Sequence, residues 1–229
     1  MKPKILVLWD IDRTLMWADN AGEHALVSAA KTACDADLDL NKLPYSGRTD
    51  RWIAQAILNH CGHEHNEDSE RRFLECYIKD LAQNLKTSAP VALPGVEALV
   101  KQFDQEPSIC QALLTGNLAA GGKLKLDSIK LWPYFAFGAF ADHSSCRNDL
   151  SPHALELARE HTGTSFSPQQ VFVIGDTPHD IECGKIIGAR TVAVATGSDS
   201  FEELSTHQPD LLLESLEDPK PLLEFLNLK

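Results

Sequence analysis

No apolar run in this 229-residue sequence approaches the roughly 20 residues that a membrane-spanning helix needs. Basic charge is also scarce: 21 Lys and Arg stand against 33 Asp and Glu, a net charge of -12. That balance argues against a nucleic-acid partner, because phosphate backbones are bound by basic surfaces. A phosphorylated small molecule would meet the same repulsive field, so its binding needs local help from Arg, Lys or a metal ion. The six cysteines (Cys34, Cys61, Cys76, Cys110, Cys146 and Cys183) are dispersed without a C-x-x-C pair, which excludes a disulfide framework. The apolar run near the start is too short for a secretory segment and lacks a small-residue cleavage site. The expectation is a reduced, cytoplasmic protein. Internal repeats and low-complexity segments are absent too.

What is present is an alternation. Short apolar runs at 4–9, 109–115, 135–141, 171–175, 191–195 and 210–213 are near-continuous rather than period-two, as strands buried on both faces should be. Helix-length segments separate them, at about 95–104, 118–130, 152–162, 179–188 and 219–227. The pattern predicts an α/β fold: a Rossmann-like, doubly wound parallel sheet whose ligand site lies at the strands' C-terminal ends. The rhythm breaks after the first strand. From residue 17 to about 90 the sequence offers only helical stretches, so an all-helical cap domain (17–89) is expected within a core of 1–16 and 90–229. Pro90, Pro94 and Gly95 mark its exit.

The first strand runs straight into Asp10 and Asp12 in "ILVLWDIDRTL". Two like charges so close are costly unless something neutralises them. Three other strand ends supply candidates: Thr115, Gly116 and Asn117 in "LLTGN", Arg147 after the third strand, and Asp176 and Asp180 in "VFVIGDTPHD". If these converge, Asp10, Asp12 and Asp176 gather enough negative charge to call for a hard divalent cation, Mg²⁺. Asp10 then serves as an ionised nucleophile toward phosphorus. Asp12 serves as general acid and base, with its pKa expected to be raised by its acidic neighbours. Thr115 and the amides of Gly116 and Asn117 would cradle phosphate oxygens, while a basic side chain screens nucleophile and phosphate from each other.

"DIDRTL", "LLTGN" and "GDTPHD", in this order and each ending a strand, resemble the haloacid dehalogenase superfamily. More narrowly, the chain is similar to its phosphoglycolate-phosphatase-like members, which carry a helical cap after the first strand. The resemblance implies a Mg²⁺-dependent phosphomonoesterase acting on a small phosphorylated metabolite, with Asp10 as nucleophile and Asp12 as acid and base. It also implies Asp10, the Asp12 backbone carbonyl and Asp176 as metal ligands, with Asp180 in support. A phosphomutase of the same fold, or a non-catalytic phosphate-binding module, would look much the same.

Two departures stand out. Arg13 replaces the usual glycine after the second aspartate, and Asp149 falls where the phosphate-screening lysine is expected. Arg147 is the first substitute for that lysine and Lys125 the second. In "YSGRTDRWIAQ", Thr49 or Asp50 is the N-cap candidate of a helix. By resemblance, Arg48 is the substrate contact, since a guanidinium pairs well with carboxylate or phosphate. The histidines of "HCGHEH" (60–65) match no zinc spacing and read as a turn at a helix end.

Overall fold

The computed structural model describes residues 3–228, so residues 1, 2 and 229 of the expected core segments lie outside it. The first strand, β1 (Ile5–Trp9), is apolar throughout, and Leu6 to Trp9 are fully buried. A two-residue strand, β2 (Met16–Trp17), leads into three helices: α1 (Ala21–Cys34), α2 (Asp50–His60) and α3 (Glu67–Asn84). The chain returns through β3 (Val91–Ala92), which pairs antiparallel with β2. Next come α4 (Val96–Asp104), β4 (Ile109–Leu114), α5 (Ala119–Ser128) and β5 (Gly138–Ala139). The remainder is α6 (Leu150–Thr162), β6 (Val171–Gly175), α7 (Pro178–Ile186), β7 (Arg190–Val194), α8 (Phe201–Thr206), β8 (Leu211–Leu213) and α9 (Lys220–Phe225).

Six strands form one parallel sheet in the order β5-β4-β1-β6-β7-β8. This is the expected α/β Rossmann-like architecture. Strand order reverses at β1, which pairs with β4 on one side and β6 on the other. A reversal opens a crevice at the carboxyl ends, where such sheets bind ligands. The last residues of β1, β4 and β6 therefore aim the next side chains, Asp10, Thr115 and Asp176, at one place. Trp9 packs beneath that rim, with its ring 6.0 Å from that of Phe103.

The three helices after β2 pack through α1 and α3, where Phe73, Tyr77 and Leu81 are buried together with Ala25, Leu26 and Ala29. Their starts follow local chemistry. Thr49, not Asp50, is the N-cap of α2 and accepts from the Trp52 amide at 3.1 Å. Asn66 caps α3 in a reciprocal box with Ser69, which starts that helix two residues before the apolar pattern does. At the exit of the helical segment, Gly95 sits at φ +81, and a Cβ there would lie 1.8 Å from the Leu216 carbonyl oxygen. Only glycine fits such a turn.

Four elements differ from the sequence reading. The third strand shrinks from 135–141 to Gly138–Ala139, because it is a sheet edge that pairs only with Leu113 and Leu114. The β2–β3 ribbon and α8 were not anticipated. They are two and six residues long, too short to carry a periodic signal.

Candidate active site

A cleft of about 340 Å³ lies between the rim of the sheet and the three helices. Asp10, Asp12, Arg48, Thr115, Gly116, Asn117, Lys125, Arg147 and Asp176 all line it. Asp180 lies directly behind, buried and ion-paired to Arg147. The residues anticipated from four separate segments are thus brought together. Asp149 is not among them; it accepts from the Ser144 hydroxyl in its own loop.

Two cations divide the carboxylates between them. Arg147, only 8% exposed, reaches Asp10 Oδ1 at 3.1 Å and pairs with Asp180, and it donates to the Gly47 carbonyl at 2.9 Å. Lys125 Nζ donates to Asp12 Oδ2 and to Asn117 Oδ1, each at 2.6 Å. Asn117 Nδ2 completes the triangle on Asp12 at 2.8 Å and also reaches Thr115 Oγ1 at 2.9 Å. Both residues considered for the missing lysine are therefore in the cleft, each on a different aspartate.

Asp10, Asp176 and Asp180 each offer an oxygen within 4.8 Å of the others. Asp180 spends Oδ1 on Arg147 and Oδ2 on the amide and hydroxyl of Thr177 at 3.1 and 2.7 Å. Asp176, by contrast, accepts among the described residues from Thr14 Oγ1 alone, at 3.0 Å. Burial, relieved in part by Arg147 but reinforced by Asp180 and Asp12, pushes Asp10 up to about 7. Burial and the charges of Asp10 and Asp180 raise Asp176 as well. Such a buried, mutually repelling oxygen set fits a hard divalent cation.

A sequence profile described as HAD-hydrolase-like matches residues 147–219 of this chain. The pyrophosphatase PpaX of Anoxybacillus flavithermus is 33% identical over 67 residues, which cover 29% of this chain and 31% of that protein. A hydrolase from Pseudomonas syringae superimposes with a TM-score of 0.76 at 18% identity, covering 96% of this chain and 98% of the other. CbbY from Rhodobacter sphaeroides, solved with phosphate, gives 0.75 at 16% identity over the full length of both. Over residues 147–219 the chain is similar to the HAD-hydrolase-like family. At these identities the structural likeness is one of fold, and the matched stretch spans about a third of the curated relative's length.

One expectation is corrected. The pKa of Asp12 is lowered, not raised: burial acts upward, but the charge and hydrogen bond of Lys125 and the hydrogen bond from Asn117 outweigh it. The tension between the paired aspartates falls on Asp10 and Asp176 instead, because Lys125 is dedicated to Asp12. Both of these hydrogen bonds fall on Asp12 Oδ2.

Asp50 was anticipated only as a possible cap of its own helix. Its Oδ2 accepts from the Leu118 amide at 2.7 Å, and its amide donates to the Gly116 carbonyl at 2.7 Å. It therefore joins α2 to the turn that carries Thr115 to Asn117. Gly197 was also missed: a Cβ there would sit 1.9 Å from Asp176 Oδ2. Neither contact leaves a trace in local sequence, since each joins residues tens of positions apart. His63 bonds the Cys34 carbonyl at 3.0 Å and His65 pairs with Glu70 at 2.6 Å, so the histidine turn has structural partners.

These shifts carry a pH signature. Between the ordinary 3.8 and about 7, the folded state keeps an Asp10 proton that the unfolded chain releases, so stability falls as pH rises through that window. Asp176 adds to the slope, as does Asp50, which burial raises to about 6. His179, lowered by burial and by Arg48 and Arg147, pulls the other way, but it is one group against three. Metal-free protein should melt at a lower temperature near pH 8 than near pH 5, and added Mg²⁺ should narrow the gap. Thermal denaturation across this range checks it; a melting temperature that climbs with pH contradicts the assignment.

Proposed function

We propose that the protein is a Mg²⁺-dependent phosphomonoester hydrolase acting on a small organic phosphate. Residues 17–89 form a cap domain on the core of 1–16 and 90–229 in this reading. The observation that carries it is the meeting of Asp10, Asp12, Thr115, Arg147 and Asp176, from four separate segments, in one cleft. Mg²⁺ would be held by Asp10, the Asp12 carbonyl and Asp176, and it supplies charge neutralisation at the phosphoryl group.

Asp10 attacks phosphorus, breaking the bond to the ester oxygen and forming an aspartyl-phosphate. Arg147 lies against Asp10 and offsets the negative charge that accumulates as the phosphate approaches. Thr115 hydrogen-bonds to Asp10 and orients it. Asp12 hands a proton to the departing oxygen and takes one from the water that cleaves the intermediate. Lys125 and Asn117 hold Asp12 in place, so a substrate must loosen this grip before Asp12 takes up a proton. The resting charge of Asp12 makes that step part of the cycle.

Phosphate release from a panel of small phosphomonoesters and pyrophosphate, with Mg²⁺ and after chelation, tests the reading. Metal-dependent release supports it. Conversion to an isomeric phosphate without release would make the protein a phosphomutase. No turnover of any panel member, with or without Mg²⁺, would count against a hydrolase.

A further inference from the structure

Cysteines scattered along the chain meet in the helical segment. Cys34 ends α1 four residues after the buried Ala30. Cys61 follows α2 as its C-cap, four residues after Ile57 and three after Leu58, both buried. Each sulfur therefore continues the face that its helix buries, since positions three and four apart share a side. Two contacts bring the pair together. His63, just past the end of α2, bonds the Cys34 carbonyl at 3.0 Å, which holds that turn against the end of α1. The Cys34 thiol itself hydrogen-bonds to the Cys61 sulfur.

The remaining cysteines stand apart from this contact. Cys76, on α3, acts on Cys34 through its charge only. Cys183 is tied to the Arg147 carbonyl at 3.3 Å, Cys110 lies in β4, and Cys146 lies in the loop before α6. What the pair encloses bears on the cleft. The chain from residue 34 to residue 61 carries Tyr45, Ser46, Gly47, Arg48 and Asp50, all on the cleft's lining. Arg147 donates to its Gly47 carbonyl, and its Thr49 hydroxyl donates to the Ser145 carbonyl at 2.6 Å. A bond between the two ends would restrict this segment without touching the aspartates of the site.

We propose that Cys34 and Cys61 form a reversible disulfide, driven by a peroxide, that ties down the ends of this segment. Sulfurs already in contact need only small side-chain rotations to reach the roughly 2.05 Å of the bond. Cys61 is the more exposed of the two, and the hydrogen bond from Cys34 favours its ionised form, so its thiolate attacks. It displaces hydroxide from hydrogen peroxide and becomes a sulfenic acid. The Cys34 sulfur then attacks that sulfur, and the hydroxyl leaves with the Cys34 proton as water. Two thiols and one hydrogen peroxide give one disulfide and two waters. Burial holds both thiols above their ordinary value, which makes the reaction slow near neutral pH.

To test this, the reduced chain is incubated with hydrogen peroxide over hours, its free thiols are alkylated, and its peptides are mapped without reduction. The expected result is a linked peptide pair joining Cys34 to Cys61, lost on adding dithiothreitol. The melting temperature should stand about 5 °C or more above that of the reduced protein. Cys76→Ser should leave both signals intact, whereas Cys61→Ser should abolish both. Alkylation of Cys34 and Cys61 after peroxide treatment, pairing of either with Cys76, or a link that leaves the melting temperature unchanged overturns the proposal. Mapping of the unaltered chain decides this even where a variant fails to fold. None of these readouts depends on whether the cleft releases phosphate.

Discussion

An Asp10→Asn variant should fold, melt at a higher temperature than the unaltered metal-free protein at neutral pH, and lose phosphate release by about a thousandfold or more. The two effects have one cause. Asp10 is buried among Asp176 and Asp180 with an oxygen within 4.8 Å of theirs, so its charge is costly in the resting fold. Asparagine keeps the shape and removes that charge, leaving Arg147 to serve Asp180 alone. The carboxamide oxygen, however, cannot take over as nucleophile. Steady-state kinetics beside thermal denaturation reads both. A variant that keeps more than a tenth of the activity would remove Asp10 from the nucleophile's role, and a destabilised variant would contradict the electrostatic account.

Removal of Arg147 should do the reverse and damage stability and turnover together. Its guanidinium joins β1, α7 and the loop before α2, through Asp10, Asp180 and the Gly47 carbonyl. Arg147→Met preserves the volume of the stem but leaves buried carboxylates without their counter-charge. Breaking such a buried pair from one side costs about 3–5 kcal/mol, which for a chain of this size is a fall in melting temperature of about 10 °C. The loss should shrink at low pH, where Asp10 protonates, and on addition of Mg²⁺. Arg147→Lys should recover part of the stability through its charge but little turnover, because an ammonium cannot span three partners in a plane. Equal stability of Arg147→Met and the parent protein at pH 8 would show that the carboxylates are neutralised by something else.

The contrast between the two substitutions follows from how the charges were divided, and that division was not visible along the chain. Asp10, Asp12 and Asp176 are legible because each follows an apolar run at a strand end, and a parallel sheet gathers its strand ends on one rim. Arg147 and Lys125 are legible only as candidates. Which carboxylate each one meets depends on the path of the loop before α6 and on the face that α5 presents, and neither is set by local propensity.

The sequence by itself determined the strand-helix alternation, the interruption by helices after β1, and the set of side chains available to the site. Period and apolar run length carry that information, because they decide which residues must leave water. The tertiary structure alone decided the electrostatics. Asp12 holds its charge because Lys125 arrives from 113 positions away, and Asp10 is driven toward protonation by burial and by the charge of Asp180 from another strand end. Coulomb energy depends on distance through space and on exclusion of water, and neither quantity is written in the order of the residues.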